Sequence, residues 1–167
     1  MTKQKDKTIT MKLKLIFVGK TEDDYLIKGS AIYEKRLKNY LPTEVIVIPA
    51  LKNVKNMSFD QQKQKEGELI FKQLENADFV VLMDEKGKEF RSVEFANFFQ
   101  QKMNSGIKKL VLIIGGPYGF SQGIYARANQ KVALSKMTFS HQMIRLLLLE
   151  QCYRAFSILK NEPYHHE

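Results

Sequence analysis

Residues 79–83 (FVVLM) and 110–114 (LVLII) contain no polar side chain and end at strand length. A strand with one face in water alternates polar and apolar residues, whereas a strand apolar throughout buries both faces, as in a parallel sheet covered on two sides. The intervening segments supply the covers. Residues 24–40 place Leu26, Ile27, Ile32, Tyr33 and Leu37 at helical spacing before Pro42, and Ser58 stands as an N-cap for a helix reaching about Leu74. Ser92 reads as another N-cap, with Phe95, Phe98, Phe99 and Met103 on one face and Gly106 as a stop. A short helix is expected from Ser121 and a long one over 141–160. Further strands are expected over 12–18, 44–48 and 132–134. This alternation predicts an α/β fold, a mostly parallel sheet flanked by helices.

A chain of 167 residues, 44% of them apolar, suits one domain. The first ten residues, MTKQKDKTIT, have no apolar period, so 1–10 are read as a flexible extension and 11–167 as a single domain. No run approaches the roughly 20 apolar residues that cross a bilayer. A single cysteine excludes a disulfide framework and a Cys-based zinc site, and fits a reducing, cytoplasmic setting. Lys and Arg number 27 against 18 Asp and Glu, a formal charge of +9. That excess is compatible with a polyanionic partner such as RNA or DNA, or with nothing more than a soluble surface.

In open α/β sheets ligands bind at loops beyond the carboxyl ends of strands, which selects three loops. Residues 115–119 (GGPYG) are the most glycine-dense point of the chain, but no Gly-Lys-Ser/Thr closes them into a P-loop, nor do they form Gly-x-Gly-x-x-Gly. A tight turn and a ligand loop both stay open. Residues 84–88 (DEKGK) read as a solvated turn, with binding of a hydroxyl-rich ligand as the alternative. Residues 134–141 (LSKMTFSH) mix apolar and hydroxyl side chains before the long helix; Ser140 either caps that helix or belongs to a loop whose backbone reads a planar base.

Val18-Gly19-Lys20, residues 33–37 (YEKRL), Lys65-Glu66-Gly67, residues 114–119 (IGGPYG), residues 134–142 (LSKMTFSHQ), Tyr153-Arg154-Ala155 and Pro163-Tyr164-His165 together carry a resemblance. The chain resembles the bacterial large-subunit ribosomal RNA pseudouridine N-methyltransferases of the SPOUT superfamily, over nearly all of 11–167. Ser140 stands where that family commonly has proline, and Met83 where it often has leucine. The resemblance implies an α/β knot with a C-terminal trefoil, which periodicity alone would never suggest. It also implies a homodimer, and methylation by S-adenosylmethionine of the imide nitrogen (position 3) of a pseudouridine in 23S rRNA within the ribosome. RNA rather than DNA is then the polyanion, no metal is required, and the setting is cytoplasmic. Position by position, Met83, Gly115, Leu134, Ser135, Lys136, Met137, Thr138 and Phe139 are expected to hold the cofactor. A catalytically silent ribosome- or RNA-binding module of the same fold is the alternative.

Methylating an imide nitrogen requires loss of its proton, to a base or with the help of cations that favour the anion. Histidine titrates near neutrality, so His165 is a candidate acceptor, with Tyr164 beside it. A chain end ordinarily frays; by the resemblance this one folds over a substrate pocket and reaches the partner's cofactor. Glu150 and Arg154 share a helix face at i, i+4 on an otherwise apolar helix; Arg154 is expected to contact the RNA phosphate or the pseudouridine, with Glu150 positioning it. Helix-entry packing is expected for His141, RNA backbone contact for Arg145, and a core place for Cys152. Lys20, Lys35, Arg36, Lys38, Lys86, Lys88, Arg91, Lys108 and Lys109 are the remaining candidates for phosphate contacts.

Overall fold

The computed structural model describes residues 11–167; the extension expected over 1–10 lies outside them. Five strands, β1 (Lys12–Val18), β2 (Thr43–Ile48), β3 (Phe79–Glu89), β4 (Lys109–Ile114) and β5 (Gln130–Ala133), alternate with helices α1 (Asp24–Leu37), α2 (Phe59–Phe71), α3 (Ser92–Asn104), α4 (Gln122–Arg127) and α5 (Met143–Leu159). The strands form one sheet in the order β2-β1-β4-β3-β5, and every neighbouring pair is parallel.

The reason for the unbroken apolar runs is visible in the alternation of their side chains. Leu13, Leu15 and Phe17 of β1 and Leu110, Leu112 and Ile114 of β4 pack on one face with Leu37 of α1, Phe95, Phe98 and Phe99 of α3 and Leu148, Leu149 and Cys152 of α5. Ile16, Val18, Val111 and Ile113 point to the other face, under Ile70 of α2 and Ile124 of α4. Both sides of the sheet are therefore dry, and each buried side chain of this size contributes about 1.5–3 kcal/mol of transfer free energy. The caps work as local chemistry requires. Ser58 accepts from the Gln61 amide and the Gln61 side chain accepts from the Ser58 amide, a reciprocal capping box. Ser92 is the first residue of α3 rather than its cap, and its hydroxyl donates to Gln151 at 2.8 Å; the Arg91 amide before it donates to Glu94 at 2.7 Å.

Two further expectations are corrected. Residues 84–89 are not a free turn: β3 runs through them, and Val132 of β5 pairs with both Met83 and Lys88 across a bulge. A Cβ on Gly87 would lie 2.5 Å from the Val132 nitrogen, so only glycine lets the two backbones approach this closely. Arg145 does not face RNA. It is 1% exposed, the largest fully buried side chain. Its guanidinium donates to the Gly19 carbonyl at 2.7 Å, the Val18 carbonyl at 2.7 Å and the Thr21 hydroxyl at 3.0 Å. The first turn of α5 is thereby fixed to the end of β1, and the Glu22 amide reinforces the join by donating to the Gln142 side chain at 2.9 Å.

Candidate functional site

The ends of β4 and β5 meet the bulged middle of β3 at the carboxyl edge of the sheet, and a cavity of about 610 Å³ opens there. Its walls are the middle of β3 where its bulge begins (Met83, Asp84), the 115–119 turn after β4, and the loop after β5 that leads into α5. A volume of this size lies within the usual range for small-ligand pockets, roughly 300–1,000 Å³.

Each wall has a local cause. Gly119 adopts φ +84, a left-handed conformation that favours glycine, and its amide donates back to the Gly116 carbonyl at 3.2 Å. Gly115 and Gly116 lie against neighbours: an added Cβ would sit 2.9 Å from the Phe120 ring at Gly115 and 2.8 Å from the Glu66 carboxylate at Gly116. In the loop after β5 the Met137 amide donates to the Ser135 hydroxyl at 3.0 Å, and the Met143 amide donates to the Ser140 hydroxyl at 3.1 Å. Ser140, two residues before the Gln142 cap position, thus holds the first amide of α5 and lines the cavity at once. Asp84 is held at the mouth: its carboxylate accepts from the Lys86 amide at 2.8 Å and from the Tyr125 hydroxyl. Burial, with Asp84 next to it, pushes that phenol up to about 12.

Seven of the eight expected cofactor residues line this cavity: Met83, Gly115, Leu134, Ser135, Met137, Thr138 and Phe139. Lys136 is exposed and is not among the lining residues. His141, expected to pack at the helix entry, is exposed instead and borders the cavity. Met137 is 76% exposed, so a flexible thioether stands over the opening.

Sequence reasoning quoted Glu66 only as part of a motif. It sits under Gly116, and burial raises its carboxyl pKa. A raised carboxylate favours folding below its ordinary pKa, and that contribution is lost as pH rises through the folded value. Glu66→Gln is therefore expected to raise the unfolding midpoint at pH 7 and leave it nearly unchanged at pH 4, as read by thermal melts at both values. An equal shift at the two pH values would sink this account.

Glu150 and Arg154 of α5 and Tyr164 and His165 of the tail beyond it form a second cluster. Glu150 Oε1 accepts from Arg154 Nε at 3.1 Å, from Arg154 Nη2 and from the Tyr164 hydroxyl at 3.0 Å. The tail folds back so that Arg154 lies 4.7 Å from the Tyr164 ring centroid and Arg154 Nη1 donates to His165 Nδ1 at 3.2 Å. Tyr33 of α1 meets Tyr164, hydroxyl to hydroxyl, at 3.2 Å. The hydrogen bond to Glu150 raises the Arg154 pKa further, so its charge is permanent. Burial and the contacts with Tyr33 and Glu150 push the Tyr164 phenol well above its ordinary value, so it is a neutral donor at physiological pH. In this arrangement a neutral His165 carries its proton on Nε2, because Nδ1 accepts from Arg154. None of these four side chains lines the cavity of the same chain. α5 enters that wall at Ile144, and Arg154 lies ten residues further on, about 15 Å at helical rise.

The scattered bases separate as well. Lys109 is paired with Glu75 and Asp78, Lys38 with Glu34 and Arg91 with Glu167, while Arg36 and Lys88 lie over aromatic rings. Lys20, Lys35, Lys86 and Lys108 are exposed. Cys152 is buried as expected, and burial raises its thiol pKa far above the reactive range. Among the described residues no three His, Cys, Asp or Glu side chains gather as a metal site, and no helix is long and apolar enough to cross a membrane.

Residues 11–165 match a family model described as "Predicted SPOUT methyltransferase". The chain is 56% identical over 157 residues to the ribosomal RNA large subunit methyltransferase H of Parabacteroides distasonis, covering 94% of this chain and all of that protein. It is 57% identical over 157 residues to the protein of that name from Phocaeicola vulgatus, with 94% and 100% covered. Among solved structures, a "probable methylase family protein" from Haemophilus influenzae Rd KW20 superposes with a TM-score of 0.51 at 12% identity, covering 93% of this chain and 70% of that one; this likeness concerns the fold alone.

Proposed function

The chain belongs to the SPOUT methyltransferase family, and from that premise we propose that it is an S-adenosylmethionine-dependent methyltransferase of large-subunit ribosomal RNA. The proposed target is the position-3 imide nitrogen of a pseudouridine in the assembled ribosome. The observation that carries the reading is the cavity built from the bulged middle of β3 and the ends of β4 and β5. Its wall suits the cofactor: Met83, Leu134, Met137 and Phe139 offer apolar faces to an adenine and a thioether chain, while the 115–119 turn and the loop after β5 bring backbone amides and carbonyls to the same space. Bound there, S-adenosylmethionine supplies a methyl group on a positively charged sulfur.

This chain's residues must handle the acceptor. The imide gives up its proton as the nitrogen is methylated, and negative charge develops on the ring. Arg154, permanently cationic and aimed by two hydrogen bonds to Glu150, stabilises that charge. Tyr164, as a neutral phenol, donates a hydrogen bond and positions the ring. His165 accepts the proton, directly or through water, once its Nδ1 is released from Arg154. The distance between this cluster and the cavity of the same chain supports assembly of each site from two protomers, with the tail of one closing the cavity of the other. We read 11–167 as a single domain with the trefoil knot of its superfamily, working as a cytoplasmic homodimer. The exposed Lys20, Lys35, Lys86 and Lys108 supply sequence-independent phosphate contacts.

Titration calorimetry with S-adenosylmethionine is expected to show saturable binding, and absence of heat at millimolar ligand would overturn the enzymatic reading in favour of a silent RNA-binding module. Mass mapping of 23S rRNA from a strain lacking the gene is expected to show loss of one pseudouridine methyl; its persistence would overturn the target.

A further inference from the structure

Phe59, the first residue of α2, and Tyr118, at the tip of the 115–119 turn, face each other with ring centroids 4.0 Å apart and planes 20° apart. They are 59% and 45% exposed. Neither belongs to the packed clusters on the two faces of the sheet. Each ring is carried by a rigid support of its own: Phe59 follows the Ser58–Gln61 capping box, and Tyr118 lies between Gly116 and Gly119, bridged to each other. Tyr118 is also part of the cavity wall.

We propose that this ring pair is a stacking platform for an unpaired RNA base beside the nucleotide that is methylated. The inference rests on the function proposed above and specifies how the substrate is gripped. Three observations favour a base over another protein. Because the rings lie face to face, each end of the stack presents a single outer ring face, flanked by the polar, exposed Ser58 and Asp60 and by Pro117, which suits one planar ring better than an apolar protein patch. The segment leading to it, residues 45–59, carries Lys52 and Lys55 and no carboxylate; both lysines are exposed around the short 3-10 turn Val54–Asn56, where phosphates flanking a stacked base would be neutralised. The platform also borders the cavity, so a base held there stands next to the reacting position. Single-stranded RNA is recognised in this way, by aromatic faces that accept any base while cations track the backbone.

The test is methyl transfer from labelled S-adenosylmethionine to intact ribosomes, with wild type, Phe59→Ala, Phe59→Leu and Phe59→Tyr. Loss of one stacking face is expected to raise KM for ribosomes roughly tenfold in the Ala and Leu variants, with kcat and the calorimetric Kd for S-adenosylmethionine within about twofold, and Phe59→Tyr close to wild type. If Leu serves as well as Phe, or Ala leaves KM unchanged, the platform is overturned. It is equally overturned if sedimentation shows that Phe59→Ala changes the oligomeric state, since the rings would then cover a protein interface. A wild-type chain that methylates no ribosome overturns the functional reading together with the platform, whereas an active wild type with unaffected variants overturns the platform alone.

Discussion

Arg154→Met is expected to lower kcat for ribosome methylation by about 10²–10³-fold, the usual loss when one preorganised group facing a developing negative charge is removed. Affinity for S-adenosylmethionine should stay within about twofold, because Arg154 lies outside the cavity wall. Methionine keeps most of the side-chain volume and removes the charge, so packing against Tyr164, whose ring centroid is 4.7 Å from the guanidinium, is largely preserved. Single-turnover rates measured alongside calorimetry separate the two quantities. A variant with wild-type turnover would remove Arg154 from the chemistry and leave the cluster on α5 a structural clasp for the tail. Glu150→Gln should behave as a weaker version of the same lesion, since it loosens the aim of Arg154 without removing its charge.

Arg145→Ala is expected to destabilise the fold by at least about 3 kcal/mol, combining a cavity left by a large side chain with buried carbonyls that lose charged donors. For a chain of this size that corresponds to a fall of roughly 6–12 °C in the unfolding midpoint. The direction holds even though the buried guanidinium is itself costly: burial lowers its pKa, and its Nε has no hydrogen-bond partner. Those penalties are already part of the native balance, and truncation relieves them only by stranding the Val18 and Gly19 carbonyls. Arg145→Lys should not restore stability, because one ammonium cannot reproduce a planar fork that meets two adjacent carbonyls. Calorimetric melts of the three proteins decide the matter; a midpoint unchanged in Arg145→Ala would show that these bonds contribute nothing net.

How far the chain could be read without coordinates depends on the range of each signal. The strands were legible where their burial is two-sided and leaves a mark on every residue, as in residues 79–83 of β3 and in β4. The polar half of β3 was not: residues 84–89 are held by backbone pairing across a bulge, and Gly87 reads as a turn glycine until Val132 is seen beside it. Arg145 was misread for a related reason. On a helix, an arginine near a basic chain's site suggests phosphate, and the carbonyls that bury it are 126 and 127 residues away. The cavity loops were located by the rule of strand ends, but which residues face inward came from the family resemblance, and Lys136 is the one position where that carry-over does not meet the wall. The i, i+4 spacing of Glu150 and Arg154 was local and legible, whereas the return of Tyr164 and His165 onto them depends on a chain reversal that no periodicity encodes.

The contact between Arg145 and the end of β1 also sets a timetable for synthesis. The two central strands pair Lys12 with Lys109, and the clamp on Val18 and Gly19 comes from the last helix made. Closure therefore joins segments 126 and 127 residues apart, a high-contact-order arrangement that folds slowly. While α5 is still within the exit tunnel, β1 has emerged with its terminal carbonyls unsatisfied and one face uncovered. A nascent chain of this protein completes its core only once α5 has emerged, and until then its sheet edges are open to chaperones and to association with other unfinished chains.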